Sequence, residues 1–232
     1  MNCLAMDTAT ETLALCLRTQ GETRTFLIQA GLKHSERLMP AVAGLLEQAK
    51  IDALDLDLVV CSTGPGSFTG IRIGLATAKG LAFAAASSGA PCLLIGVSTL
   101  DALAHRYRLF SGAVVAANPS LRRNHYAAVY REGNRQGAYL ETSIPDLAAS
   151  LEPFPDLLLT GGSAGALFHE LGGSRCSTRV VVDASGQSAD PVGLLDCGVV
   201  ALERYKERGE RPQEPAPLYL RKSEAEISFS GG

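Results

Sequence analysis

Residues 64–82, G-P-G-S-F-T-G-I-R-I-G-L-A-T-A-K-G-L-A, constrain the fold more than any other stretch of the chain. They come after Leu58-Val59-Val60-Cys61, a short β-branched run bounded by turn residues, which reads as a buried strand. Gly64-Pro65-Gly66 then forces a turn, because glycine reaches positive φ and proline holds its own φ fixed. Ser67 or Thr69 can cap the next element, a helical pattern from about Gly70 to about Ser87. Gly70, Gly74, Ala78 and Ala82 recur every four residues, which makes one flat face of small side chains. Gly74 and Gly80 inside a helix each cost roughly 1 kcal/mol relative to alanine, and close approach of another backbone would offset that cost. The approaching element is either the chain's own sheet or a helix of a partner chain. A membrane span is excluded for this segment: Arg72 and Lys79 interrupt it, and the run falls short of the ~20 apolar residues required.

Glycines ahead of a helix also suit an anion, to which they can present amides. As a P-loop the stretch fails, since the spacing is wrong and Ile71-Arg72 stands where Lys-Ser/Thr is needed. A second candidate for the same chemistry is Asp7-Thr8-Ala9-Thr10, a carboxylate and hydroxyls at the end of a strand, where a phosphate–Mg²⁺ group could be oriented. On spacing alone an ordinary turn leads. The candidate nucleotide or anion residues are therefore Asp7, Thr8, Gly64 and Gly66.

Composition narrows the function classes. The chain has 232 residues, 46% hydrophobic and 19% charged, enough for one large domain or two small ones with a real core. A formal charge of -3 without a long basic run argues against nucleic-acid binding through this chain's own phosphate contacts. Arg122-Arg123 is a local basic patch at most. The six cysteines at 3, 16, 61, 92, 176 and 197 form no Cys-x-x-Cys pair, a pattern that suits a reducing cytoplasm. No basic segment followed by an apolar core opens the chain, so the expected location is cytoplasmic.

In chain order, Asn2–Met6, Thr12–Leu17 and Arg24–Gln29 read as a three-stranded meander joined by short loops. A helix comes next over Ser35–Lys50, with Leu38, Val42, Leu45 and Leu46 at helical spacing. After the strand at 58–61 and the helix from Gly70 come a strand at Cys92–Val97 and a helix capped by Ser98 that runs to about Arg108. The second half starts again with strands: Ala113–Ala117, His125–Arg131 and Ala138–Thr142. Then come a helix at Ile144–Leu151, a strand at Asp156–Leu159, a helix at Ser163–Leu171, a strand at Val180–Asp183 and a longer helix from Asp190 to about Arg208. A meander followed by alternating strands and helices gives mixed sheets covered by helices. The expected division is a first lobe over 1–111, a smaller second lobe over 112–220, and a mobile tail over 221–232. The polar, proline-rich Gly209–Pro217 reads as an extended connector.

Local motifs offer little chemistry. His34, His105, His125 and His169 are scattered, with no H-x-x-x-H or H-E-x-x-H pair, so they are expected at the surface or as caps rather than as metal ligands. Gly64-Pro65-Gly66-Ser67 is not G-x-S-x-G. Tyr126, Tyr130 and Tyr139 sit at strand spacing and read as core or cross-strand residues.

Gly64–Ala82 resembles the signature of the bacterial TsaB family, also called YeaZ. Asp7–Leu17 (starting D-T-A-T), His34–Pro40 (H-S-E-R-L-M-P), Ile95–Ala104 (I-G-V-S-T-L-D-A-L-A) and Pro217–Arg221 (P-L-Y-L-R) are similar to the family as well. The resemblance implies the two-lobed actin/Hsp70/sugar-kinase-like (ASKHA) α/β fold, with a ribonuclease-H-like mixed sheet in each lobe. It implies a non-catalytic partner of TsaD, with the ATPase TsaE, in adding threonylcarbamoyl to the adenosine next to the anticodon of tRNAs that read codons starting with A. It further implies homodimers when alone, only indirect contact with tRNA, and no membrane. TsaD has a metal-binding pair in G-V-N-H-x-x-x-H, and Thr99 and Leu103 stand at those positions here, with His105 two residues out of register. No catalytic residue, resident metal or resident cofactor is thus expected, with ATP or ADP and Mg at most at a shared interface. Family members commonly open the second lobe with Asp-Ala-Arg; here it is Asn118-Pro119-Ser120, an amide for the acid. The expected partner face is built from Leu38 and Val42 on one helix and Gly70, Arg72, Gly74, Leu75, Ala78, Lys79 and Ala82 on the next. The rival class is an enzyme: an actin-fold nucleotide-dependent phosphotransferase, or a TsaD-related metallopeptidase-like protein.

Overall fold

The early apolar runs become strands β1 (Cys3–Asp7), β2 (Thr12–Thr19) and β3 (Glu22–Gln29) in a computed structural model, which describes residues 1–31, 33–87, 89, 91–121, 123–172 and 179–220. They pair antiparallel as the expected meander. Strand β4 (Leu58–Ser62) then lies parallel to β1, and β5 (Leu93–Val97) parallel to β4, giving the order β3-β2-β1-β4-β5. Strands β1 and β4 are buried along their whole length, as their unbroken apolar runs require. Edge strand β3 alternates between exposed and half-buried positions along most of its length.

Helices α1 (His34–Ala49) and α2 (Phe68–Ala86) cover one face of this sheet. Leu38, Val42, Ile71, Leu75 and Ala78 meet Leu4, Met6, Leu13 and Leu15 there. Ser67 caps α2, its Oγ accepting from the Gly70 amide at 3.1 Å. Helix α3 (Thr99–His105) is capped by Ser98 and ends three residues earlier than expected.

The second sheet repeats the topology of the first. Strands β6 (Ala113–Pro119), β7 (His125–Arg131) and β8 (Asn134–Thr142) form an antiparallel meander. Strands β9 (Asp156–Thr160) and β10 (Arg179–Val182) add in parallel on the β6 side, giving β10-β9-β6-β7-β8. Helices α4 (Ile144–Ser150) and α5 (Ala164–Gly172) bury Ile144, Leu147, Leu167 and Leu171 against this sheet. Strand β8 begins four residues before its expected start, in an exposed polar stretch.

The expected division at residue 111 needs one correction. Met1–Arg106 groups with Ser188–Pro217, and Tyr107–Gln187 groups with the segment from Leu218, of which 221–232, including the tail expected to be mobile, lie outside the described residues. The cause is the long helix α6 (Pro191–Glu207), which covers the second face of the first sheet. Its Leu194, Leu195 and Leu202 pack on Cys3, Ala5, Val60 and Ile95. Its glycines permit the approach: a Cβ on Gly198 would lie 2.3 Å from Val60, and one on Gly193 would lie 2.2 Å from the Ala102 carbonyl oxygen. Asp190 caps the helix by accepting from the Val192 and Gly193 amides and pairs with Arg106 at 3.3 Å.

Candidate functional site

The turns after β1 and β4 are locked together behind α2. Asp7 Oδ1 accepts the Ala9 amide at 2.8 Å, a local turn of the kind that Asp favours. Thr8 Oγ1 donates to the Gly70 carbonyl at 2.8 Å. A Cβ on Gly70 would lie 2.1 Å from the Thr8 carbonyl oxygen, one on Gly74 2.3 Å from Thr8 Oγ1, and one on Gly66 2.0 Å from the Ala9 carbonyl oxygen. The backbone that α2 admits is therefore the end of β1 in the same unit. Around the four candidate anion residues, four amides are spent inside the chain. Ala9 donates to Asp7, Ser67 to the Ala9 carbonyl at 2.6 Å, Gly70 to Ser67, and Thr99 to the Gly64 carbonyl at 2.9 Å. Asp7 and Thr8 have no exposed surface. Burial pushes the Asp7 carboxyl up, and the Ala9 amide pulls it partly back. His34, expected at the surface or as a cap, opens α1, is 4% exposed there and acts electrostatically on Asp7.

The expected partner face is corrected by burial. Leu38, Val42, Gly70, Gly74, Leu75, Ala78 and Ala82 all lie in the interior of their own unit, and the apolar ones among them fill its core. A side chain already spent on the sheet has little surface left for a partner. Arg72 and Lys79 do point outward. They share the exposed side of α2 with Ala76, Gly80 and Phe83, and Arg72, Ala76, Lys79 and Phe83 follow helical spacing along it. Phe83 is 78% exposed, and Met39 on neighbouring α1 is 47% exposed. The Arg72 guanidinium lies over the Phe68 ring at 3.8 Å. A Cβ on Gly80 would meet nothing within 4 Å. The small-residue stripe drew attention away from Phe83, an aromatic among alanines one residue past that stripe.

The second unit holds a motif that sequence reasoning passed over. Gly161-Gly162-Ser163-Ala164-Gly165 matches G-x-S-x-G and runs from the end of β9 into the start of α5, the strand–turn–helix context of a nucleophilic serine. Ser163 Oγ is 2.6 Å from His125 Nδ1, and burial lowers the pKa of that imidazole. The rest of a hydrolase is not assembled there. Gly162 donates its amide to Asn118 Oδ1 at 2.8 Å, Ser163 to the Ala117 carbonyl at 2.9 Å, and Ala164 to the Gly161 carbonyl at 3.1 Å. The amide that follows the serine, the usual oxyanion donor, is thus already bonded, and Ser163 is 1% exposed. Asn118, the amide at the altered start of the second lobe, thus serves as a brace for the turn. A fluorophosphonate probe is expected to leave Ser163 unlabelled, read by intact mass; stoichiometric labelling would contradict this.

A family model for TsaD, tRNA N6-adenosine threonylcarbamoyltransferase, matches residues 29–162, more than half of the chain. The tRNA threonylcarbamoyladenosine biosynthesis protein TsaB of Bacillus subtilis is 34% identical over 159 residues, 68% of this chain and 66% of that protein. The match therefore spans just under two thirds of that relative. YeaZ from Pseudomonas aeruginosa superimposes with a TM-score of 0.71 at 26% identity, over 94% of this chain and 99% of that one. The chain belongs to the TsaB (YeaZ) family. An inorganic polyphosphate/ATP-glucomannokinase from an Arthrobacter strain, at 13% identity and a TM-score of 0.53, shares the fold. The two mixed sheets are accordingly those of the actin/Hsp70/sugar-kinase-like class.

Within this TsaB-family chain, the two residues that the resemblance sets against a TsaD histidine pair are core residues. Thr99 and Leu103 of α3 are 0% and 3% exposed, and leucine has no donor atom for a metal. Among the described residues no group of three His, Cys, Asp or Glu side chains is placed to hold a metal ion. Nor is any helix among them long and apolar enough to cross a membrane.

Proposed function

We propose that this TsaB-family chain is a non-catalytic partner of a TsaD-like protein, acting with a TsaE-like ATPase in threonylcarbamoyl transfer to the adenosine next to the anticodon of tRNAs that read codons starting with A. It acts in the cytoplasm, touches tRNA only indirectly and pairs with itself when alone. A nucleotide with Mg, where one is used, sits at a shared interface. The observation that carries this reading is the outward side of α2, where Phe83 is 78% exposed beside Arg72 and Lys79. Phenylalanine and arginine are both enriched where protein surfaces meet a partner. The inward-turned amides around Asp7 and the spent amides around Ser163 weigh against the enzyme readings.

Reconstitution of the tRNA modification with and without this chain tests the role, and Phe83→Glu tests the face. The substitution is expected to leave stability within about 0.5 kcal/mol, as at other exposed sites. It should weaken self-association and the TsaD complex by roughly 30- to 150-fold, the loss of an anchor of about 2–3 kcal/mol. Undiminished binding by sedimentation velocity would remove α2 from the interface. ATP turnover by the isolated chain that vanishes in Asp7→Ala would restore the phosphotransferase reading.

A further inference from the structure

The connector after α6 ends on the outward side of α2, the side proposed to meet partners. Glu214 Oε1 lies 2.5 Å from Lys79 Nζ, with the two side chains 75% and 44% exposed. The next residue, Pro215, is buried. It fills a notch at β5: a Cβ on Gly96 would lie 2.5 Å from Pro215 Cβ and 2.6 Å from Thr63 Cγ2. Glycine at position 96 is thus what lets the connector lie down. Pro212, Pro215 and Pro217 have no amide to donate, and among the described residues no backbone–backbone hydrogen bond holds 211–217. Among the described contacts, the buried Pro215 and the exposed ion pair anchor it. An ion pair of that exposure contributes little and exchanges readily.

We propose that Glu214 is a built-in occupant of Lys79, so that the connector competes with the carboxylate of an incoming partner chain for the α2 face. The inference rests on α2 being that face. Pro215 keeps the connector in place, and Glu214 is the contact that yields. The competing group in a second copy of the chain is an acidic side chain; Glu36 and Glu47 on α1 are exposed and of the right charge. In the unpartnered chain Glu214 neutralises Lys79. In the assembly Lys79 turns to the partner and the connector's acidic turn is released.

The test uses self-association of the full chain, measured by sedimentation equilibrium for the wild type, Glu214→Gln, Phe83→Glu and Pro215→Gly. Removing the internal competitor is expected to tighten association about 2- to 5-fold in Glu214→Gln, with Pro215→Gly changing in the same direction. The chain contains no tryptophan, so Gln213→Trp gives a single emission reporter, expected to shift to the red as the chains associate. Weakened association in Phe83→Glu with none gained in Glu214→Gln overturns the competition alone. Association unchanged in both variants removes the α2 face and the competition together. A reporter whose emission stays constant through association overturns the displacement of the connector.

Discussion

A chain ended at Ser111 is expected not to fold, whereas 1–106 joined by a flexible linker to 188–217 is expected to fold. Without α6 the face formed by Cys3, Ala5, Val60 and Ile95 is bare, and Leu194, Leu195 and Leu202 are lost from it. Each fully buried leucine contributes about 1.5–3 kcal/mol, so the three together approach the 5–15 kcal/mol that typically holds a domain. Dispersion of amide resonances and a cooperative denaturant transition measure the outcome. A cooperative transition in the 1–111 fragment would show that α6 is dispensable to the sheet.

Two glycines of α2, ten residues apart, are expected to respond with opposite signs. Gly70→Ala puts a methyl 2.1 Å from the Thr8 carbonyl oxygen, where only a backbone shift relieves the clash. Overpacking of this kind costs about 1–3 kcal/mol and occasionally more, outweighing the roughly 1 kcal/mol that alanine gains in a helix. At about 2–4 °C per kcal/mol for a chain of this size, the melting temperature should fall by several degrees. Gly80→Ala meets open space and should stabilise by up to about 1 kcal/mol. Thermal melts of the two variants decide the matter, and a neutral Gly70→Ala would mean that the β1–α2 contact is loose. Gly74→Leu cannot serve as an interface probe, because its side chain strikes Thr8 first.

Much of the fold was legible because strands and helices leave different periods in a sequence. The buried run at 58–61, the meander, and the stripe of α6 were all readable in that way. Where α6 packs was not, since an apolar stripe reports that a face is covered and not which sheet covers it. The early start of β8 was hidden by Asn134, Arg135 and Gln136, three polar residues whose pairing with β7 is set by register rather than by burial. The site was less legible for a related reason. Gly70 and Gly74 announced a close approach, but a missing side chain does not name its neighbour, and the neighbour is Thr8. His34 carried no local sign of burial. The serine of Gly161–Gly165 was readable as a motif, and the destinations of three amides together with its burial distinguish it from a nucleophile.

The return of α6 to the first sheet also sets a timetable for synthesis. Residues through Arg106 leave the ribosome about 80 residues before Ser188 does, and at ~5–20 residues per second that is a delay of roughly 4–16 s. During it the nascent first sheet has one face open to chaperones and to neighbouring chains, while the intervening unit has all of its own strands and can close first. Codon changes that slow translation between 107 and 187 should therefore raise aggregation without altering a single contact in the finished protein.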